Sequence, residues 1–139
     1  MAKSNGLGMT VFTVQDASGT ARDIRNDITN FQFDTPRAVQ DTTGIDKMAK
    51  ETLLLLSDYS ITINGVFNPT ATTSSHAVLS TVSTTSVTRQ IILTFNTTPT
   101  ATMTATTNLT AYNVTRAASG EATWQTTGVL ANGTAGTWS

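Results

Sequence analysis

Apolar and polar residues alternate with a period of two along most of the chain, which predicts extended strands separated by turns. Residues 10–15 form the first such stretch. Asp16-Ala17-Ser18-Gly19-Thr20 then supplies turn chemistry before a second stretch at 21–24, so the pair reads as a hairpin. In Ile28-Thr29-Asn30-Phe31-Gln32-Phe33, the three apolar residues reach one buried surface only if a bulge or turn shifts the phase between Ile28 and Phe31. Pro36 closes that run. Residues 34–46 are polar and interrupted by Pro36 and Gly44, which reads as a long loop. Thr43 and Asp46 stand at capping-box spacing, and Ile45, Met48 and Ala49 would form the apolar side of two helical turns through Glu51. So short a helix must dock on a sheet or bridge subunits, because isolated helices of this length do not persist in water.

The clearest strand covers residues 53–67, with Leu53, Leu55, Tyr59, Ile61 and Ile63 facing one way and Asp58, Ser60, Thr62 and Asn64 the other. Asn64-Gly65 is either a tight hairpin turn or part of an edge that continues through Val66-Phe67 to Pro69. Residues 70–75 read as loop and 76–82 as a further strand of ambiguous burial. Alternation resumes at 87–95, where Ile91, Leu93 and Phe95 are core candidates, and ends at Asn96-Thr97-Thr98-Pro99. Two more extended segments follow at 100–106 and 109–115. A turn at Ala117-Ala118-Ser119-Gly120-Glu121 leads to a last strand, in which Trp124 is a core residue.

Threonine dominates the composition, and its branched Cβ favours a pleated sheet over a helix. The 139 residues suit one domain, large enough to bury roughly two-thirds of its extended-chain surface. The expected organisation is a flexible N-terminal arm at 1–9, a single β-rich domain at 10–130 and a C-terminal tail at 131–139. Charged residues make up 12% of the chain, and beyond Tyr59 only Arg89, Arg116 and Glu121 are charged. Either neighbouring subunits cover this uncharged half, or a threonine coat faces solvent. The net charge of -1 gives no electrostatic grip on nucleic acid. No apolar run approaches the roughly 18 residues of a membrane helix, and the polar N-terminus lacks the core of a secretory signal. Sequon-like triplets at Asn96, Asn108, Asn113 and Asn132 arise easily in so threonine-rich a chain.

Candidate chemistry is sparse. Without cysteine there is no disulfide, thiolate nucleophile or zinc-thiolate site, and one histidine makes no metal cluster. His76 follows Ser74-Ser75, but adjacency in sequence is not nucleophile-base geometry, and no glycine-flanked elbow accompanies it. Asp23 and Asp27 could be paired acids, yet a cation site needs several converging oxygens and no calcium-loop pattern occurs. The chain is read as non-enzymatic, without cofactor or metal.

Three blocks carry a family resemblance: Asp16-Ala17-Ser18-Gly19-Thr20-Ala21-Arg22-Asp23-Ile24, then Leu56-Ser57-Asp58-Tyr59-Ser60-Ile61-Thr62-Ile63-Asn64-Gly65-Val66-Phe67, then Leu109-Thr110-Ala111-Tyr112-Asn113-Val114-Thr115 with Gly120-Glu121-Ala122-Thr123-Trp124-Gln125-Thr126-Thr127-Gly128. In this order the chain resembles the major tail tube proteins of long-tailed bacteriophages, departing from them in its threonine-rich second half and brief N-terminal arm. The resemblance implies a mainly β fold, a compact β-sandwich or barrel-like core with one short flanking α-helix. It further implies hexameric rings stacked into a virion tail tube, made in the host bacterial cytoplasm, whose lumen passes double-stranded DNA. Its partners would be identical subunits and the tail tip, tape-measure and tail-terminator proteins, with no membrane insertion by this chain. On that reading Arg37, Asp41, Thr43, Ile45, Asp46 and Lys47 are candidate contacts between rings, because they lie in the 34–46 interaction loop and the turns after it. Asp23, Asp27 and Asp58 are candidate lumen charges that would repel phosphates. Trp138 is either a terminal anchor in an interface or a frayed end. A tail-completion or capsid-decoration β module is the nearest alternative, and a threonine-rich adhesion domain a more distant one.

Overall fold

The computed structural model describes residues 5–96 and 99–139; residues 1–4 of the expected N-terminal arm and Thr97-Thr98 lie outside them. The first hairpin pairs β1 (Val11–Gln15) with β2 (Ala21–Asp23). Asp16 closes its turn: Oδ1 accepts from the Ser18 and Thr20 amides, both at 3.0 Å, and from the Ser18 hydroxyl at 2.8 Å, while Oδ2 accepts from Arg22 Nε at 3.1 Å. Gly19 supplies the positive φ of 85° that the turn needs. A 3-10 turn at Arg25–Asp27 leads into β3 (Ile28–Asp34), whose register against its partner shifts between Ile28 and Asn30, the phase change expected from the sequence.

The apolar run at 53–67 breaks at Asp58 into β5 (Thr52–Ser57) and β6 (Ser60–Val66), which lie in different sheets. The Asp58 amide donates to Pro36 O at 2.9 Å and its Oδ1 accepts from the Tyr59 amide at 2.7 Å, so the chain turns there. Only the Tyr59, Ile61 and Ile63 part of the predicted face is buried, and Leu53 and Leu55 are exposed. Residues 34–46, expected as loop, contain β4 (Arg37–Asp41), which pairs antiparallel with β5.

The helix predicted through Glu51 does not form. Thr43 Oγ1 instead accepts from the Glu51 amide at 2.8 Å and donates to Glu51 O at 3.2 Å, which closes the tip of the β4–β5 hairpin. Among the described residues the α-helix is α1 (Ser75–Leu79), where a strand was expected. Ser74 caps it by accepting from the Ala77 amide at 3.2 Å, and Ser75, Val78 and Leu79 are its buried residues, at helical rather than strand spacing.

After α1 come β7 (Arg89–Phe95), β8 (Ala101–Arg116), β9 (Ala122–Leu130) and β10 (Thr137–Trp138). The two segments expected at 100–115 are thus one long strand. Its first half pairs with β7, and from Thr107 onward it pairs with β9, with a register shift inside that ladder between Leu109 and Ala111. The main sheet runs β2-β1-β7-β8-β9-β6-β3, with β10 on β8. It folds over β8 so that β1 and β7 face β3 and β6: Phe12 meets Phe31 edge-on at 5.1 Å and Phe31 meets Phe95 at 6.1 Å. The end strands β2 and β3 do not pair with each other, so the architecture is sandwich-like and the barrel variant is not supported.

Between the layers lie Phe12, Val14, Ile61, Ile63, Ile91, Leu93, Met103 and Trp124, with Val78 and Leu79 from α1. Each such side chain contributes about 1.5–3 kcal/mol on burial. Phe95, expected in the core, is partly buried and packs against it. Among the described residues no helix is long and apolar enough to cross a membrane.

Candidate functional site

The hairpin of β4 and β5 contributes nothing to the core cluster, and every residue from 34 to 58 is exposed. Its sequence is nonetheless apolar: Val39, Leu53, Leu54, Leu55 and Leu56 are 57%, 53%, 54%, 41% and 86% exposed, and Ile45 and Met48 at the tip are fully exposed. A two-stranded hairpin is marginally stable in water by itself, and one that shows its apolar side chains to solvent calls for a partner. We refer to residues 37–57 as the arm.

Cross-strand pairing sets its geometry. Val39 lies opposite Leu54, Gln40 opposite Leu53 and Asp41 opposite Thr52, with a register shift before Arg37 meets Ser57. Arg37 Nε donates to Leu55 O at 2.9 Å, which ties the base of the arm. Asp41 Oδ1 accepts from the Thr43 amide at 2.9 Å, and hydrogen bonds from Thr43 hold its carboxyl below the usual carboxylate range. Lys47 pairs with Asp46 at 3.2 Å and reaches Glu51 at 3.9 Å. The arm therefore holds all six residues named as contacts between rings. The signal for its apolar character was available in the sequence, since four consecutive leucines break the period of two that a strand with one solvent face requires.

The three candidate lumen acids separate. Asp23 is exposed and pairs with Arg25 at 3.2 Å, and Asp58 is exposed where β5 turns into β6. Asp27 is buried inside the subunit, where Oδ1 accepts from Asn68 Nδ2 at 3.0 Å and Oδ2 from the Ser75 amide at 2.9 Å. Its charge serves the start of α1 and is not available to a lumen. Trp138 is half exposed but not frayed: it sits in β10, with its ring 5.6 Å from Phe33 and 6.5 Å from Phe95.

The outward faces of the sandwich are almost free of charge. A row of carboxamides, Asn30, Asn64, Gln125 and Asn113, runs across β3, β6, β9 and β8, and Asn64 Nδ2 donates to Asn30 Oδ1 at 2.7 Å. Beside it lie Gln32, Thr62 and Thr127. On the other layer Thr94 and Thr102 hydroxyls bond at 3.0 Å. Of the three charged residues beyond Tyr59, Arg116 and Glu121 are exposed at the β8–β9 turn. The third, Arg89, is buried and donates to Gln15 O at 3.2 Å, Val78 O at 2.7 Å and Thr81 Oγ1 at 2.8 Å; burial lowers its pKa and Asp16 partly offsets this.

His76 Nδ1 lies 3.1 Å from the Tyr112 hydroxyl, and its ring packs on Phe67. The Ser74 hydroxyl is engaged with Thr70 O and the Ala77 amide. Among the described residues, no group of three or more His, Cys, Asp or Glu side chains converges on one point. An open cleft of about 570 Å³ lies at the mouth between the layers, lined by Met9, Phe12, Ile28, Phe31 and Phe95 with Arg25 at its rim.

No protein-family model and no curated protein sequence matches the chain. Among solved structures its fold is similar to that of a chain in the virion of a native gene transfer agent particle, with a TM-score of 0.74 at 13% identity over 99% of both chains. It is also similar to a chain in the tail of an empty gene transfer agent particle of C6 symmetry, with a TM-score of 0.71 at 18% identity, again over 99% of both chains.

Proposed function

We propose that this chain is the repeating subunit of a virion tail tube, in which hexameric rings stack around a lumen that conducts double-stranded DNA, and that it carries no reaction chemistry of its own. The observation that carries this reading is the arm, an apolar hairpin with no partner inside the subunit, on a sandwich of the same fold, end to end, as a tail chain of a C6 particle. The arm supplies the contacts between copies, including those between stacked rings through Arg37, Asp41, Thr43, Ile45, Asp46 and Lys47. Sheet edges at β2 and β3 remain free to pair laterally. Two different surfaces used head to tail close a ring when the rotation permits, and a further such contact stacks the rings.

The uncharged sandwich faces suit a passage wall, because DNA slides only where the wall makes few phosphate contacts. Asp58 and Asp23 are the acids left to face a lumen. Tail tip, tape-measure and terminator proteins would meet the tube at its ends and inside it, in the virion. Electron microscopy of the purified chain and of virions tests this reading. Long hollow tubes with ring periodicity are the expected result. Capsid-bound knobs would make the chain a decoration or tail-completion module, and stable monomers with surface attachment an adhesion domain.

A further inference from the structure

Asparagine followed by glycine occurs at Asn5-Gly6, Asn64-Gly65 and Asn132-Gly133. The pair has a chemistry of its own. The amide nitrogen after an asparagine can attack the side-chain carbonyl carbon, and a glycine at that place, lacking Cβ, leaves the approach open. The fold treats the pairs differently. Asn64 and Gly65 lie in β6, in register with β3 on one side and β9 on the other, and Asn64 Nδ2 is held by Asn30 Oδ1 at 2.7 Å. Asn132 and Gly133 instead form an exposed turn, with φ of 47° and 75°. Among the described residues the Gly133 amide has no hydrogen-bond acceptor, and Asn132 Oδ1 makes only a long contact, 3.4 Å from the Thr134 amide.

The turn stands between two anchors on β8. Before it, the Ala131 amide donates to Thr106 O at 3.0 Å. After it, Thr137 and Trp138 pair with Thr104 and Met103, the Ser139 amide donates to Thr102 O at 2.8 Å, and Ser139 O accepts from the Thr102 amide at 3.0 Å. Residues 134–139 thus form a strap along an edge of β8. Gly136 lies so close to the core that a Cβ would meet Met103 Sδ and Tyr59 Cδ2 at 3.3 Å, and Trp138 rests on Phe33 and Phe95.

We propose that Asn132 is a site of spontaneous conversion to isoaspartate, and that the conversion unfastens the strap. The Gly133 nitrogen bonds to Asn132 Cγ, the Cγ–Nδ2 bond breaks, and ammonia leaves with the Gly133 amide proton. Water then opens the cyclic imide. Where it adds at Cγ the product is aspartate; where it adds at the main-chain carbonyl, the chain runs on through Cγ, one backbone atom longer and with a free carboxylate. Water is the only co-reactant, and nothing is oxidised or reduced. The added atom lies between the Thr106 and Thr104 anchors and displaces the register of a two-residue strand, which has few bonds to resist it. The edge of β8 at Thr102 to Thr104 is then left unpaired.

Subunits aged in mildly alkaline buffer and mapped by peptide mass spectrometry test the first step. Asn132 should gain the mass of an amide-to-acid change more than about tenfold faster than Asn64, whose ladders must open first, and should keep pace with the exposed Asn5. Asn132 converting no faster than Asn64 would overturn the proposal. Hydrogen exchange tests the second step. The Thr102 and Ser139 amides should exchange more than about tenfold faster in the isoaspartate form, whereas Asn132→Asp, which adds the charge without the backbone atom, should exchange as the unmodified chain does. An isoaspartate form that still protects both amides, or an Asn132→Asp chain as open as that form, would overturn unfastening by the longer backbone.

Discussion

Gly65→Ala should be among the most damaging single-methyl changes in this subunit. Gly65 lies near the end of β6, opposite Trp124 on β9 and next to the end of the 3-10 turn. A Cβ there would lie 2.5 Å from Trp124 Cζ2 and 2.6 Å from Cε2, and closer still to the backbone carbonyl of Asp27. Neither obstacle yields easily. The indole is held by its Nε1 donating to Val66 O at 2.8 Å, and Asp27 is held by Asn68 and the Ser75 amide. Overpacking a core usually costs about 1–3 kcal/mol, and with backbone on one side and a pinned ring on the other the upper end, about 3 kcal/mol, is expected. For a domain of this size that lowers the melting temperature by roughly 10 °C. Urea unfolding followed by tryptophan fluorescence measures it, with Gly128→Ala and Gly6→Ala as graded references. A Cβ at Gly128 meets the flexible end of Leu109 at 3.0 Å and Ile61 Cγ2 at 3.2 Å, for a loss of about 1 kcal/mol. At Gly6 it meets nothing within 4 Å, and the change should be neutral. Equal stability of the Gly65 and Gly6 variants would refute the packing account.

Arg89→Ala strips hydrogen bonds from Gln15 O, Val78 O and Thr81 Oγ1 and opens a cavity beside α1, so unfolding should become easier by about 3 kcal/mol; an unchanged urea midpoint would contradict the role given to this buried cation. Asp16 has its pKa lowered from 3.8 to about 2, chiefly by the Ser18 hydroxyl. Its contribution is therefore complete above the unfolded value and lost as pH falls from about 4 to 2. Thermal melts should show that Asp16→Asn has a shallower acid limb than the wild type over this window. Trp138→Ala removes ring contacts with Phe33 and Phe95 and should cost about 1–2 kcal/mol, visible as faster amide exchange at Thr102. Leu54→Asp with Leu56→Asp should abolish assembly while shifting subunit stability by less than about 0.5 kcal/mol, since both side chains are already in water; sedimentation and a melt together check this.

The strands with one wet face were the legible part of this chain, because period two reports which side of a strand is buried. β1, β6 and β7 alternate as their sequences do, and the Asp16 turn forms with the chemistry its residues carry. What could not be read was how local signals rank against tertiary contacts. Asn64-Gly65 resembles a hairpin turn, but the glycine is there because an indole lies against it. Thr43 and Asp46 have capping-box spacing, yet Thr43 bonds across to Glu51, since Ile45 and Met48 would find nothing to pack on as a helix. At 76–82 the weak alternation hid the helical set Ser75, Val78 and Leu79, fixed by the Ser74 cap and by Asp27, which lies far off in sequence. The candidate site was legible as a segment. That it forms a separate, exposed hairpin was not, because the run of leucines seemed continuous with the core strand that follows it.

That misreading marks a division of labour within the chain. The core draws on residues before Asp34 and from Tyr59 onward, and nothing between them is buried. The β6 and β9 ladder runs from Ser60 without help from the arm, and the arm is tied at its base by the Asp58 amide bonded to Pro36 O. On the proposed function, folding and assembly therefore act on separate residues. Changes at Gly65, Arg89 or Trp124 should alter how stable the subunit is, whereas changes at Leu53 to Leu56 should alter only what it can join. A subunit that folds first and keeps its apolar arm in water stores part of the free energy of association until neighbours arrive. On the proposed function, that free energy is released as neighbouring copies cover Leu53 to Leu56.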